Sequence, residues 1–187
     1  MTTRILATIF ATVCLSVLTT SCSTAPKAED RKSFTIEASA AESWFETNVT
    51  GFKDQAKSSG GYIIFPDVGQ FGIIFGGGTY GRGAVYNVSG EQVGWAALNR
   101  ASIGLQLGAQ SFKMAIILQD KATFESFKGG TWQGDVAATA VAARAGAATT
   151  AQFDKGVAVY IGDQAGLMAG MSIALSHVAY KNMSDVE

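Results

Sequence analysis

Gly76, Gly78 and Gly81 fall in the spacing G-x-G-x-x-G, inside the stretch GIIFGGGTYGRG at residues 72–83. Glycines so spaced can cradle a pyrophosphate if they leave a strand and open a helix whose N-terminus faces the anion, with an acid about 20 residues further on for the ribose. The first condition is met, but RGAVYNVSGEQVGW after Gly81 is strand-like, and the next acid, Glu91, follows by only ten residues. No Gly-Lys-Ser/Thr occurs, so a Walker loop is absent as well. The chain reads as no nucleotide binder. Strands that crowd together or bend sharply need glycine where a Cβ would collide, and this accounts better for the motif. On that reading Gly72, Gly76, Gly78, Gly81, Gly104, Gly108, Gly166 and Gly170 are structural glycines.

Other chemistry finds little support. His177 is the only histidine, and the carboxylates show no clustered spacing, so neither a metal site nor a cofactor is expected. No G-x-S-x-G elbow surrounds a serine that His177 might activate, so no catalytic residue is nominated and the chain reads as a non-enzyme. Asp67 and Asp163 sit in matching Asp-bearing turns, where bonding from side chain to backbone is the expected role. Lys53, Lys57, Arg82 and Arg100 are the candidates to meet a lipid phosphate, against the plainer reading of solvated charge. Trp44, Phe45 and Phe52 could insert at a membrane interface or belong to the core.

The N-terminus narrows the setting. Arg4 is the only charge before the apolar run Ile5 to Leu18, whose 14 residues suit a signal-peptide core better than a membrane span. Ser21 then precedes Cys22, the arrangement a lipoprotein signal peptidase needs before the thiol is acylated, although Thr19 replaces the usual leucine. The alternative is an ordinary secretory signal cleaved elsewhere. Residues 1–21 are thus read as a lipoprotein signal and Cys22 as the lipid attachment site. Ser23, rather than aspartate, favours outer-membrane delivery in a bacterial envelope, facing the periplasm. With Cys14 removed and Cys22 acylated, no thiol remains for disulfide or metal chemistry. Loss of Arg4 takes the 14 basic residues to 13 against 15 acidic ones, a net charge of −2. That balance argues against a nucleic-acid partner recruited by counterion release.

The elements that must position these residues follow from periodicity. Residues 22–36 are polar, carry Pro26 and read as a flexible tether, leaving 37–187 as one domain. Between Glu37 and Lys57, Ala38, Ala41, Phe45, Val49, Phe52 and Ala56 recur at steps of three and four, which predicts an amphipathic helix interrupted only by Gly51. After Gly60 come YIIF, FGIIF, GAVYNV, VGWAAL, IGLQLG and KMAIIL, short runs bounded by turn residues, as in antiparallel hairpins. KATFESF at 121–127 reads as a short helix ended by Gly129, while 131–150 is Ala-rich and read as extended. GYIIFPDVGQFGIIFGG from Gly61 and GVAVYIGDQAGLMAGM from Gly156 echo one another, through hairpin grammar or duplication. The fold class expected is α+β: an N-terminal helix packed on an antiparallel, barrel-like sheet.

KSSGGYIIFPDVGQFGIIFGGGTYGRGAVY, SIGLQLGAQ and GLMAGMSI, in this order and spread over most of residues 37–178, resemble the SYLF domain, a lipid-binding module of eukaryotic trafficking proteins and bacterial lipoproteins. Where that family carries a Pro- and Gly-rich link, this chain has WAALNRAS. The resemblance implies a sheet-rich domain behind an N-terminal helix, a phospholipid membrane as partner and no catalysis. The rival expectation is a structural or interaction module of the envelope with a protein partner, touching lipid only through Cys22.

Overall fold

A computed structural model of the chain describes residues 24–73, 76–103, 108–130, 141–143, 151–168 and 178–186. A 3-10 turn at Ala28–Asp30 leads into helix α1, Arg31–Asn48, and a second helix, α2, covers Phe52–Lys57. The helix therefore starts six residues before Glu37, and the expected tether is largely structured. Phe34 explains the extension, since it packs edge-to-face on Trp95 with centroids 5.6 Å apart. Arg31 adds to it by donating from Nη2 to the Val186 carbonyl at 2.6 Å. Glu29 and Asp30 precede the helix where its dipole favours negative charge. Gly51, at φ 80°, splits the predicted single helix in two, because a left-handed residue cannot continue a right-handed turn. The apolar stripe survives the break: Phe45 stacks on Phe52 at 5.3 Å, and all six predicted stripe residues are buried.

Among the described residues seven strands form one sheet: β1 Gly61–Ile73, β2 Gly76–Asn87, β3 Gln92–Ile103, β4 Gly108–Leu118, β5 Val141–Ala143, β6 Val157–Met168 and β7 Val178–Asn182. Their order is β5-β6-β4-β1-β2-β3-β7, antiparallel throughout except for the β5–β6 pair. The sheet is not closed, which corrects the barrel-like expectation, although it curls enough for Phe127 of helix α3, Lys121–Lys128, to reach Tyr180 of β7 at 5.6 Å. Asp120 caps α3 by accepting from the Thr123 amide at 2.8 Å.

YIIF and FGI turn out to be one strand. Between Ile64 and Asp67 the register of β1 slips against β2, and between Phe65 and Val68 it slips against β4. Pro66 sits at the slip; it has no amide to offer the ladder, so a bulge accommodates it. In β6 the pairing with β4 shifts beside Asp163, whose φ is 51°. The two echoing aspartates thus mark bulges within strands, where turns between strands were expected. WAALNRAS lies wholly inside β3.

Both faces of the sheet are packed near the end where β1 begins. Tyr62, Ile64, Ala84, Tyr86, Ala115, Ile117, Ala158 and Tyr160 meet α1 and α2, while Ile63, Val85, Ile116, Leu118, Val157 and Val159 face the core under α3. Tyr160 accepts from the Ala151 amide at 2.9 Å and donates to Gln55 Oε1, tying α2 to the segment before β6.

Candidate functional site

Beyond the bulges the helices no longer cover the sheet. By strand alternation Asp67, Gly69, Phe71 and Ile73 of β1 continue the helix-side face, opposite Arg82, Tyr80, Gly78 and Gly76 of β2. This bare half leaves large apolar groups in water: Phe71 is 46% exposed, Tyr80 57% and Ile73 70%. The two aromatic side chains lie across glycines of the neighbouring strand. A Cβ at Gly69 would meet the Tyr80 ring, and one at Gly78 would come within 2.9 Å of the Phe71 ring.

Between these rings and β4 opens a cleft of about 420 Å³. Gly69, Ala109 and Ser111 share its face by register, Phe71 and Tyr80 wall it, and Asp67 stands at one end. On the reverse side of the sheet Gln110 donates to Gln70 Oε1 at 2.8 Å, and Gln70 is only 4% exposed. Asp67 and Arg82 are register partners on adjacent strands, so their Cβ atoms are about 5 Å apart. Neither side chain has a hydrogen bond or ion pair among the described residues. Lys113, nearby on β4, is paired with Asp163.

The most strongly shifted titratable groups lie elsewhere, under α1. Tyr62 donates to Glu42 Oε1 at 2.6 Å and stacks on Tyr86 at 5.1 Å. Burial pushes the Glu42 carboxyl up, partly offset by the Tyr62 hydrogen bond. Burial, reinforced by the Glu42 charge, pushes Tyr62 well above the ordinary tyrosine range and Tyr86 up to about 12. These groups knit helix to sheet and do not line the cleft beside Tyr80.

The four nominated cations do not share one surface. Lys53 pairs with Glu46 at 2.9 Å, and it and Lys57 stand on α2, whose Phe52 packs on Tyr160 of β6. Arg100 is two residues from Leu98, hence on the core-side face, whereas Arg82 alone borders the bare cleft. Of the nominated aromatics, Phe45 and Phe52 are fully buried, and Trp44 covers Gly162, where a Cβ would strike its ring. Gly81 is a true crowding site: its Cβ would fall 3.0 Å from Val68 and 3.2 Å from the Asp67 carbonyl. Gly72, Gly76, Gly108 and Gly166 lie in paired strands, and the strand holding Gly76, Gly78 and Gly81 runs on to Asn87 without opening a helix. Cys22, Gly104, Gly170 and His177 lie outside the described residues.

Sequence reasoning missed Phe71, Ile73 and Tyr80. Their signal was present in GQFGIIFGGGTYG, where large apolar residues stand among glycines that cannot cover them. Among the described residues no group of three His, Cys, Asp or Glu could hold a metal, and no helix is long and apolar enough to cross a membrane. Compared with family models, curated proteins and solved structures, the chain finds no match, so its own geometry carries the functional reading.

Proposed function

We propose that this chain is a lipid-anchored envelope protein whose SYLF-like domain binds phospholipid surfaces without catalysis, through the bare half of the sheet. The observation that supports this reading is the grouping of Phe71, Ile73 and Tyr80, all exposed, beside Arg82. Tyrosine and phenylalanine at a bilayer interface bury apolar area while a phenol stays wet, and burial contributes about 25 cal/mol per Å². A cation near an anionic surface adds about 1 kcal/mol.

Co-sedimentation with phospholipid vesicles tests it. The chain from Ser23 onward keeps every described residue. It is expected to pellet with vesicles, and F71S/I73S/Y80S, still folded by circular dichroism, is expected to stay in the supernatant. Absence of binding by the unacylated wild type supports instead a structural envelope module that meets lipid only through Cys22.

A further inference from the structure

We propose that the cleft between Tyr80, Phe71 and Asp67 takes the ammonium group of a zwitterionic phospholipid headgroup, while Arg82 takes its phosphate. The assignment rests on the phospholipid reading above and gives it a headgroup class. Three features of the cleft point the same way.

Its only carboxylate, Asp67, is exposed and without a partner among the described residues, so it is free to face a cation. Its two walls are aromatic, and an alkylammonium over such a face gains about 0.5–1 kcal/mol at an exposed site and about 2 when desolvated. The opposite charge, Arg82, sits one strand away in direct register, so the bare face presents adjacent negative and positive groups with no ion pair between them among the described residues. A headgroup carrying ammonium beside phosphate complements that pair. A multiply charged phosphomonoester does not: Lys113 is held by Asp163, so among the described residues Arg82 is the cation beside the cleft that is left to oppose its charge, and Asp67 would repel it. The small floor residues Gly69, Ala109 and Ser111 leave room for an ethanolamine or choline moiety in about 420 Å³.

The test compares vesicles of phosphatidylcholine with phosphatidylethanolamine against vesicles of phosphatidylglycerol, using the chain from Ser23 and its Asp67→Asn variant. Wild type is expected to bind the zwitterionic vesicles more tightly. Asp67→Asn is expected to lose about 5-fold in affinity for them, the equivalent of one exposed cation contact, and to lose nothing for phosphatidylglycerol. In solution, O-phosphoethanolamine is expected to shift the Tyr80 and Phe71 ring resonances more than inorganic phosphate does. If Asp67→Asn fails to fold, Tyr80→Leu, which keeps the apolar wall and removes the π-face, is expected to show the same selective loss. Tighter binding to phosphatidylglycerol with no effect of either variant overturns the headgroup assignment while leaving phospholipid binding intact. Binding to neither vesicle overturns both readings.

Discussion

The same strands behave differently on the two sides of the bulges at Asp67 and Asp163. On the helix side, β1 and β2 present Tyr62, Ile64, Ala84 and Tyr86, all buried under α1 and α2. A few residues along, the same face presents Asp67, Phe71, Tyr80 and Arg82, all exposed and with no described helix packed on them. Backbone pairing breaks only at the bulges and resumes beyond them on both neighbouring strands, so hydrogen bonding does not distinguish the halves. What differs is whether a layer covers the side chains. In the first half aromatic residues hold the fold; in the second they are available for binding.

The largest expected contrast is in stability. Phe52→Ala, in the covered half, removes a fully buried ring stacked on Phe45 and is expected to cost about 3–5 kcal/mol. Phe71→Ser in the bare half is expected to change stability by less than about 0.5 kcal/mol. Denaturant unfolding of both variants checks this, and equal losses would erase the proposed boundary. A smaller contrast concerns glycine. Gly162→Ala would push a Cβ into the Trp44 ring, which is wedged between α1 and β6, at an expected cost of about 1–3 kcal/mol. Gly69→Ala meets only the Tyr80 ring, which is exposed and free to swing outward, so less than about 1 kcal/mol is expected.

The third prediction concerns alkaline pH. Tyr62 and Tyr86 have folded-state values raised above the ordinary 10, chiefly by burial. The unfolded chain therefore loses their protons first. Their contribution to stability is complete below about pH 10 and declines as pH rises from there through about 12 for Tyr86. The slope reaches at most about 1.4 kcal/mol per pH unit for each tyrosine. Tyr86→Phe is expected to flatten the decline measured by unfolding titrations.

Much of this was legible before any coordinates. The stripe from Ala38 to Ala56 predicted its buried face residue by residue, because side-chain period alone sets which positions face the core. The helix from Lys121 also stands where local chemistry placed it. The start of α1 was misplaced since Phe34 is isolated in a polar run, and only its distant contact with Trp95 makes that run worth ordering. The bulges were read as turns because Pro-Asp and Gly-Asp pairs carry the same local signal in either setting. The cleft was invisible for a similar reason: it exists because the helices stop short, and coverage is a tertiary fact that no window of sequence contains. Of the four nominated cations, Arg82 stands on the bare face opposite Asp67, and the topology sends the other three to other surfaces.

The packed N-terminal turn has a mechanical consequence. Ala25 is buried, Pro26 accepts from Arg31, and Arg31 reaches Val186 just past the end of β7 where Asn182 pairs with Gly94. Were Cys22 acylated as proposed, three Cα-to-Cα steps would separate it from the buried Ala25, a leash of at most roughly 10 Å. That leash attaches at the opposite end of the strands from Ile73, and the 13 residues of β1 span roughly 40 Å. Upright, a molecule so anchored would hold its cleft out of reach of its own bilayer and toward another one; recumbent, it would touch its own. Tilt alone would then decide between contact in cis and contact in trans.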